Sequence, residues 1–363
     1  MRLSTPCFLI LALCGIARGQ GYTIRTLARS ATLNLSGSLA VDGAGNAYFA
    51  AEDANAVFRV DAITGQVTRF AGTGKAGYSG DNGPAVRAQL QTVMGLAVDA
   101  DGNVYIGESG NRRIRKVSNG VIATFAGNGE DGYSGDGGPA TSARLGALSG
   151  LAADTSGNVF IADNLNNVIR KVSNGVITTV AGNGTPICGS VPLDHSDDDG
   201  PAIGAQLYGP AAVAVDASGN LYIADLIGSR IRKVSDGRIT TVAGYREANS
   251  YWGDDGPANE AGMYGPIGVA VDARGDLYVA EVAPFNAVRQ VSGGVIRRIA
   301  GEVGKSGYSG DNGPATSALL DRPFALAVDA AGRIYISDGG NNAIRVLVPD
   351  SPNEPLARHG ALR

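Results

Sequence analysis

Short apolar runs of four to six residues, broken by glycine-rich polar turns, recur along most of the chain. Residues 96–99, 104–107, 114–117 and 121–126 illustrate the rhythm. Runs this short match strands rather than helices. The intervening Ala100-Asp101-Gly102-Asn103 and Ser118-Asn119-Gly120 supply the Gly and Asn residues that tolerate positive φ in tight hairpin turns. The second run is apolar at nearly every position (Val104-Tyr105-Ile106, and Leu221-Tyr222-Ile223 further on). A strand facing water on one side would alternate, so this run predicts a strand covered on both faces.

One phrase returns six times: SLAVDGAGNAYFA (38–50), GLAVDADGNVYIG (95–107), GLAADTSGNVFIA (150–162), AVAVDASGNLYIA (212–224), GVAVDARGDLYVA (268–280) and ALAVDAAGRIYIS (325–337). Its aspartates, Asp42, Asp99, Asp154, Asp216, Asp272 and Asp329, are spaced by 57, 55, 62, 56 and 57 residues. A fixed period of that size means one structural unit used six times. Four strands joined by tight turns make one antiparallel blade, and six such units predict an all-β, six-bladed β-propeller. After Ile344-Arg345-Val346 the last unit runs into Pro349, so it lacks a fourth strand. Thr23-Ile24-Arg25-Thr26-Leu27-Ala28 reads like Val176-Ile177-Thr178-Thr179-Val180-Ala181, which predicts that the N-terminal strand completes the last blade and closes the ring.

Composition narrows the setting. Met1 and Arg2 precede an apolar run and then Ala17-Arg18-Gly19, the pattern of a secretory leader cut before Gln20. Leu13 is not the small residue that lipid attachment at Cys14 would want. The reading is a signal peptide over 1–19, the propeller over 20–348 and a polar tail over 349–363. The mature chain is then extracytoplasmic, with no apolar stretch near the roughly 20 residues of a membrane helix. Cys188 is its single cysteine, so no internal disulfide can form. A net charge of −4 with no basic block argues against nucleic acid. Glycine at 54 of 363 residues agrees with many tight turns.

The string AVDxxGNLYIADxxNxRIRKV, carried with small departures at 97–117 and 214–234, resembles the NHL repeat. The interleaved GYSGDGGPAxxAxL resembles the subtype found in teneurin-like NHL propellers. The resemblance spans nearly all of 21–348. It implies the propeller fold and leaves function open, because related propellers serve as adhesion modules, sensors, lyases and lactonases.

Five of the six blade connections carry an insert: GYSGDNGPAVRAQL (77–90), GYSGDGGPATSARL (132–145), DDDGPAIGAQL (197–207), YWGDDGPANEAGM (251–263) and GYSGDNGPATSALL (307–320). Proline followed by Ala and Leu at helical spacing predicts one to two helical turns in each. By strand alternation the inserts share a face with the turns between second and third strands. The connection over 29–37 has none, leaving a rim with one gap through which an extended ligand could enter.

Three groups on that face are candidates. Glu108, Asp163, Asp225, Glu281 and Asp338 stand at equivalent positions after the second strand, with Glu52 nearest in the first blade. They could ring the channel and bind a cation or a basic partner, or each could cap its own turn or pair with Arg115, Arg170, Arg232, Arg289 or Arg345. Tyr78, Tyr133, Tyr251, Trp252 and Tyr308 in the inserts could stack on sugars or anchor a protein, or could pin their loops to the blade beneath. Trp252 stands where other copies have Ser and is the best single anchor. The third group is Asp194, Asp197, Asp198 and Asp199 beside His195 and Cys188, an acidic loop without the spacing of a calcium site.

An enzyme remains the alternative. Two histidines, His195 and His359, are too few for a zinc lyase. A Ca²⁺ site could draw on Asp163, Asp225, Asp338, Asn111, Asn166 and Asn341, supporting a lyase or lactonase. The G-x-G-x-x-G matches at 72–77 and 127–132 follow outer strands rather than opening a βαβ unit, so they are glycine turns. The reading preferred is a secreted, non-catalytic module that binds a protein or glycan on its loop-rich face.

Overall fold

The structure, a computed structural model, describes residues 21–30, 34, 35, 37–186, 197–245 and 250–350. Six antiparallel sheets are arranged in a ring, the innermost strand of each abutting those of its neighbours. The second blade pairs Val93–Val98, Val104–Glu108, Arg113–Ser118 and Val121–Ala126 in sequence order from the axis outward. In the last blade the chain order breaks: Tyr22–Arg29 lies antiparallel beside Ala343–Pro349, with Ile24 opposite Leu347. The outermost strand of the sixth sheet is therefore N-terminal. Residues 1–20, where the sequence reading expects a leader, Cys188, His195, Asp194 and residues 351–363 lie outside the described residues, as do 31–33 and 36 of the connection without an insert.

The recurrent phrase has a local physical cause. Asp99 Oδ1 accepts the backbone N–H of Asp101 (3.1 Å) and Asn103 (2.8 Å). Its Oδ2 accepts Asn103 Nδ2 (2.8 Å) and the Tyr105 hydroxyl (3.0 Å). Gly102, at φ +78°, provides the left-handed step that lets the loop close around the carboxylate. The same bonds recur around Asp42 and Asp216. Burial alone would raise the Asp99 carboxyl, but the bonds from Asn103 and Tyr105 outweigh it and hold it below the usual range. Asp99→Ala is expected to cost about 2 kcal/mol, measured by urea unfolding, because it strips one hairpin of four bonds at once. A cost near zero would mean the turn closes without the carboxylate.

The core lies between blades rather than within them. One layer joins Ala50, Val57 and Ala71 of the first blade to Leu96, Val104, Ile106 and Ile122 of the second. All five residues of Val104–Glu108 are buried, as a sheet covered on both faces requires. At the axis there is no room to spare: a Cβ on Gly150 would sit 2.8 Å from the Ala212 Cα.

The inserts differ from expectation. Each contains a single 3₁₀ turn of three residues, such as Ala85–Arg87, and the proline stands before it in extended conformation (Pro84 φ −60°, ψ 126°). The reason is pairing: Gly83 and Pro84 lie opposite Ile122 and Val121 on the outermost strand of the following blade. The Ala-x-x-Ala-x-Leu spacing, which mimics helical periodicity, drops Ala85, Ala88 and Leu90 into the crevice between blades. Among the described residues no helix is long and apolar enough to cross a membrane.

Candidate functional site

The inserts and the turns between second and third strands share one face. Asn111, Asn166 and Asn341, from those turns, donate to the carbonyls of Gly77, Gly132 and Gly307 at the start of the inserts (2.8, 2.9 and 2.7 Å).

The five candidate carboxylates do not open onto that face. Glu108, Asp163, Asp225, Glu281 and Asp338 are fully buried. Each accepts a backbone N–H at the end of the insert preceding its blade: Gln91 (3.0 Å), Gly146 (3.0 Å), Tyr208 (2.6 Å), Tyr264 (2.9 Å) and Asp321 (2.7 Å). A buried arginine from the third strand meets four of them: Arg115 at 3.3 Å, Arg170 at 3.9 Å, Arg289 at 3.2 Å and Arg345 at 3.4 Å. The same arginines bind a second carboxylate from the insert, Asp81, Asp136 (2.6 Å), Asp254 (2.9 Å) and Asp311 (2.8 Å). In the fourth blade Arg232 binds Asp197 (2.9 Å) and Asp198 (2.7 Å), which accounts for that part of the acidic loop. Each arginine is thus a latch between insert and blade.

Burial is the dominant influence on the inner carboxyls. It pushes Asp163, Asp225 and Asp338 up to about 6 and Glu281 to about 7, against the pull of the arginines and the N–H donors. Glu108 is raised for the same reason.

These residues do not fit a cation site. Asn111, Asn166 and Asn341 turn their amide donors, not their oxygens, toward Glu108, Asp163 and Asp338 (2.7, 2.9 and 2.8 Å). In four of the five the carboxylate charge is already met by guanidinium. Among the described residues no three His, Cys, Asp or Glu side chains are grouped to hold a metal. A pocket of about 50 Å³ among the innermost strands is lined by Leu39, Met94, Leu151, Ile267 and Phe324 together with Ser38 and Ser149, and contains no charged side chain.

The insert tyrosines pin their loops. Tyr78 lies under Arg113 and Arg115 (4.0 and 4.9 Å), its hydroxyl 2.8 Å from Thr124 Oγ1. Tyr133 repeats this with Arg170 and Thr179, and Tyr308 with Arg345 and Thr26. Tyr78 and Tyr133 still keep an exposed face.

The fifth blade is different. Trp252 is 47 % exposed and meets the equally exposed Tyr245 edge-on at 6.1 Å. Tyr251 and Tyr264 both contact Phe285 at 5.5 Å. The apolar surface continues toward the third blade: Val282 and Leu226 flank Gly265, and Ile227 flanks Gly209 beside Asn164. Ile227 (48 %) and Leu165 (56 %) are exposed at the tips of their turns. The same turns of the second and sixth blades carry Ser109-Gly110 and Gly339-Gly340. The turns of the third and fourth blades thus carry exposed apolar tips, which with Tyr245 and Trp252 make an apolar crescent on the face, whereas those of the second and sixth are small and polar. Sequence reading found Trp252 but not Tyr245, Phe285, Ile227 or Leu165; the available signal was large apolar residues where other copies of the turn have glycine or serine.

Residues 11–118 match the Teneurin NHL domain family. The chain is 30% identical over 298 residues to human Teneurin-4, an alignment covering 71% of this chain and 10% of that protein. It thus spans about a tenth of the length of the curated relatives it matches. Among solved structures, a Bacteroides thetaiotaomicron structural-genomics protein superposes with a TM-score of 0.64 at 17% identity, covering 91% of this chain and 76% of its own. A streptogramin B lyase superposes at 0.52 and 11% identity, covering 91% and 98%. At those identities the likeness is one of fold.

Proposed function

The chain is a six-bladed propeller of the NHL-repeat type, similar in sequence to the teneurin NHL domain, and from that premise we propose that it is a non-catalytic recognition module binding a protein through the apolar crescent of its loop-rich face. The observation that carries this reading is the exposure of Leu165, Ile227, Tyr245 and Trp252 on the turns and insert of the loop-rich face, with Tyr245 and Trp252 in contact. Large apolar side chains scattered singly need no explanation, but a patch built by neighbouring turns and rimmed by polar residues marks a contact surface. Trp252 supplies the kind of large, partly desolvated anchor on which interface energy concentrates. The leader-like segment 1–19 supports an extracytoplasmic setting. Against catalysis stands the pairing of four of the five candidate carboxylates, Glu108, Asp163, Glu281 and Asp338, with a buried arginine of their own blade.

The full chain is screened against arrayed extracellular proteins and, in parallel, arrayed glycans. Trp252→Ala and Ile227→Ser are expected to keep the melting temperature while weakening protein binding at least about tenfold each. Binding confined to glycans, or protein binding indifferent to both substitutions, would sink the reading.

A further inference from the structure

Five of the six outermost strands are edged by an insert, always through the same four positions: Asp81-Asn82-Gly83-Pro84, Asp136-Gly137-Gly138-Pro139, Asp198-Asp199-Gly200-Pro201, Asp254-Asp255-Gly256-Pro257 and Asp311-Asn312-Gly313-Pro314. The residue before the Gly-Pro step donates its N–H to an isoleucine carbonyl of the strand: Asn82 to Ile122 (2.7 Å), Gly137 to Ile177 (2.8 Å), Asp199 to Ile239 (2.8 Å), Asp255 to Ile296 (2.7 Å) and Asn312 to Ile24 (2.7 Å). All five isoleucines are fully buried. The residue after the proline then donates to the turn ahead of the strand, as Ala85 does to the Gly120 carbonyl (2.8 Å).

The first blade is built without this cover. The connection over 30–38 holds no Asp-x-Gly-Pro, and the sheet ends at Val67–Ala71 with nothing paired outside it among the described residues. Val67, at the isoleucine position, is 44 % exposed, and Ile63, in the turn ahead of it, 95 %. Ala28, which ends the preceding outer strand, is partly buried where its counterparts Ala71 and Ala126 are fully buried. A cation is kept at this edge, but on a different strand. In the second blade Asp81 of the insert is met by Arg115 from the third strand and by Thr124 Oγ1 (2.7 Å) from the outer one. The pairings Arg115 with Thr124 and Phe58 with Arg69 are equivalent, so in the first blade Phe58 replaces the buried arginine and Arg69 replaces the threonine. Arg69 is exposed, and its one bond among the described residues is a long one to the Thr73 carbonyl (3.4 Å).

We infer that the outer edge of the first blade takes up an extended acidic segment of another protein, one that reads Asp-x-Gly-Pro followed by an apolar residue, as the inserts themselves do. An unpaired, apolar edge is a template for strand addition, in which backbone bonds give affinity and side chains give choice of partner. Here the backbone groups are those of Val67, the aspartate meets Arg69 as a charge-assisted pair, and the apolar residue lies beside Ala28 and Ile63. The five inserts are built-in examples of that sequence in that place. A second copy of this chain fits less well. Two such edges laid together would bring Arg69 of one chain against Arg69 of the other, and the Asp-x-Gly-Pro segments of a second copy are already held in their own blades. The site belongs to the rim of the first blade, so it is independent of the apolar crescent.

The full chain is titrated with a synthetic peptide of the sequence of residues 77–90, and amide hydrogen exchange is followed with and without it. With peptide at about ten times its dissociation constant, the Val67 amide is expected to exchange about tenfold more slowly, while Ile122, Ile177 and Ile239 keep their rates. Arg69→Glu, an exposed substitution checked by an unchanged melting temperature, is expected to weaken peptide binding at least about tenfold. The peptide carrying Asp81→Asn should lose affinity for the wild type and gain it for that variant. Val67 unaffected by the peptide would overturn the proposal, as would binding indifferent to Arg69→Glu. Slow exchange of Val67 without peptide would overturn it as well: at every protein concentration it would mean that the chain covers its own edge, and with a dependence on concentration that a second copy does.

Discussion

Arg289→Met is expected to destabilise the protein by ~3–5 kcal/mol at pH 8 and by clearly less at pH 5, as measured by urea unfolding. Arg289 is fully buried and binds five groups at once: Glu281 (3.2 Å), Asp254 (2.9 Å), the carbonyls of Gly262 (2.7 Å) and Trp252 (3.1 Å), and the Tyr251 ring. Methionine keeps much of the volume but leaves Glu281 as a buried charge whose remaining bond comes from the Tyr264 N–H. That is costly because the carboxylate has lost its counter-ion without regaining water. The pH dependence follows from the sign of the shift. Burial holds Glu281 at about 7, above its unfolded value, so the folded state binds the proton more readily. Its contribution to stability is present on the acid side and is lost as pH rises through about 7. Removing the arginine pushes the group further in the same direction, so the penalty of the variant grows between pH 5 and 8. Asp163, Asp225 and Asp338, held at about 6, give the wild type the same tilt, with a higher melting temperature at pH 5 than at pH 8. The lowered Asp81, Asp99 and Asp216 act at more acid pH and do not oppose it in this window. The double variant Arg289→Met/Glu281→Met removes the stranded charge and is expected to recover a large part of the loss. A single variant costing under about 1 kcal/mol at both pH values would show that the latch is not what holds the insert.

The fold was legible because its signals are local. Asp99, Gly102, Asn103 and Tyr105 all act within one hairpin, so every blade must write the same residues at the same spacing. The latch was half legible. The carboxylate positions and their arginines stand seven or eight residues apart on adjacent strands, and the sequence left open whether they faced the channel or each other. Their third partner lies much further away: Arg115 meets Asp81, Arg170 meets Asp136 and Arg345 meets Asp311, each 34 residues back across a blade boundary. That distance means nothing until the insert is known to fold onto the outer strand of the next blade. The proline turns misled for a related reason. Ala85, Ala88 and Leu90 satisfy a helical period, but the extended Gly-Pro pairing leaves space for only one tight turn before the chain re-enters the crevice. The crescent was the least legible part. Leu165, Ile227 and Phe285 come from three different turns, and each looks like an isolated departure until the ring places those turns on one face.

Ile24→Asp and Ile177→Asp place the same charge at equivalent, fully buried positions, yet they are expected to fail differently. Each costs on the order of 4 kcal/mol or more, since an isolated carboxylate in an apolar layer must either stay charged without partners or take up a proton. Ile177 belongs to Val176–Ala181, which a tight hairpin ties to Val168–Ser173. Its strand can loosen without leaving. Ile24 belongs to Tyr22–Arg29, which pairs with Ala343–Pro349 across almost the whole length of the chain and has no hairpin to bring it back. Closing so long a loop costs more chain entropy than closing a hairpin, so an equal loss of side-chain energy releases this strand first. Its departure bares the edge of Ala343–Pro349 and opens the ring where it is joined. Limited trypsin digestion under native conditions is therefore expected to cut Ile24→Asp early at Arg25 and Arg29 while the other blades resist. Ile177→Asp should instead become sensitive throughout, on the same scale as its loss of global stability. Identical digestion patterns for the two variants would mean that the N-terminal strand is held no more weakly than a hairpin, and that the ring has no preferred point of opening.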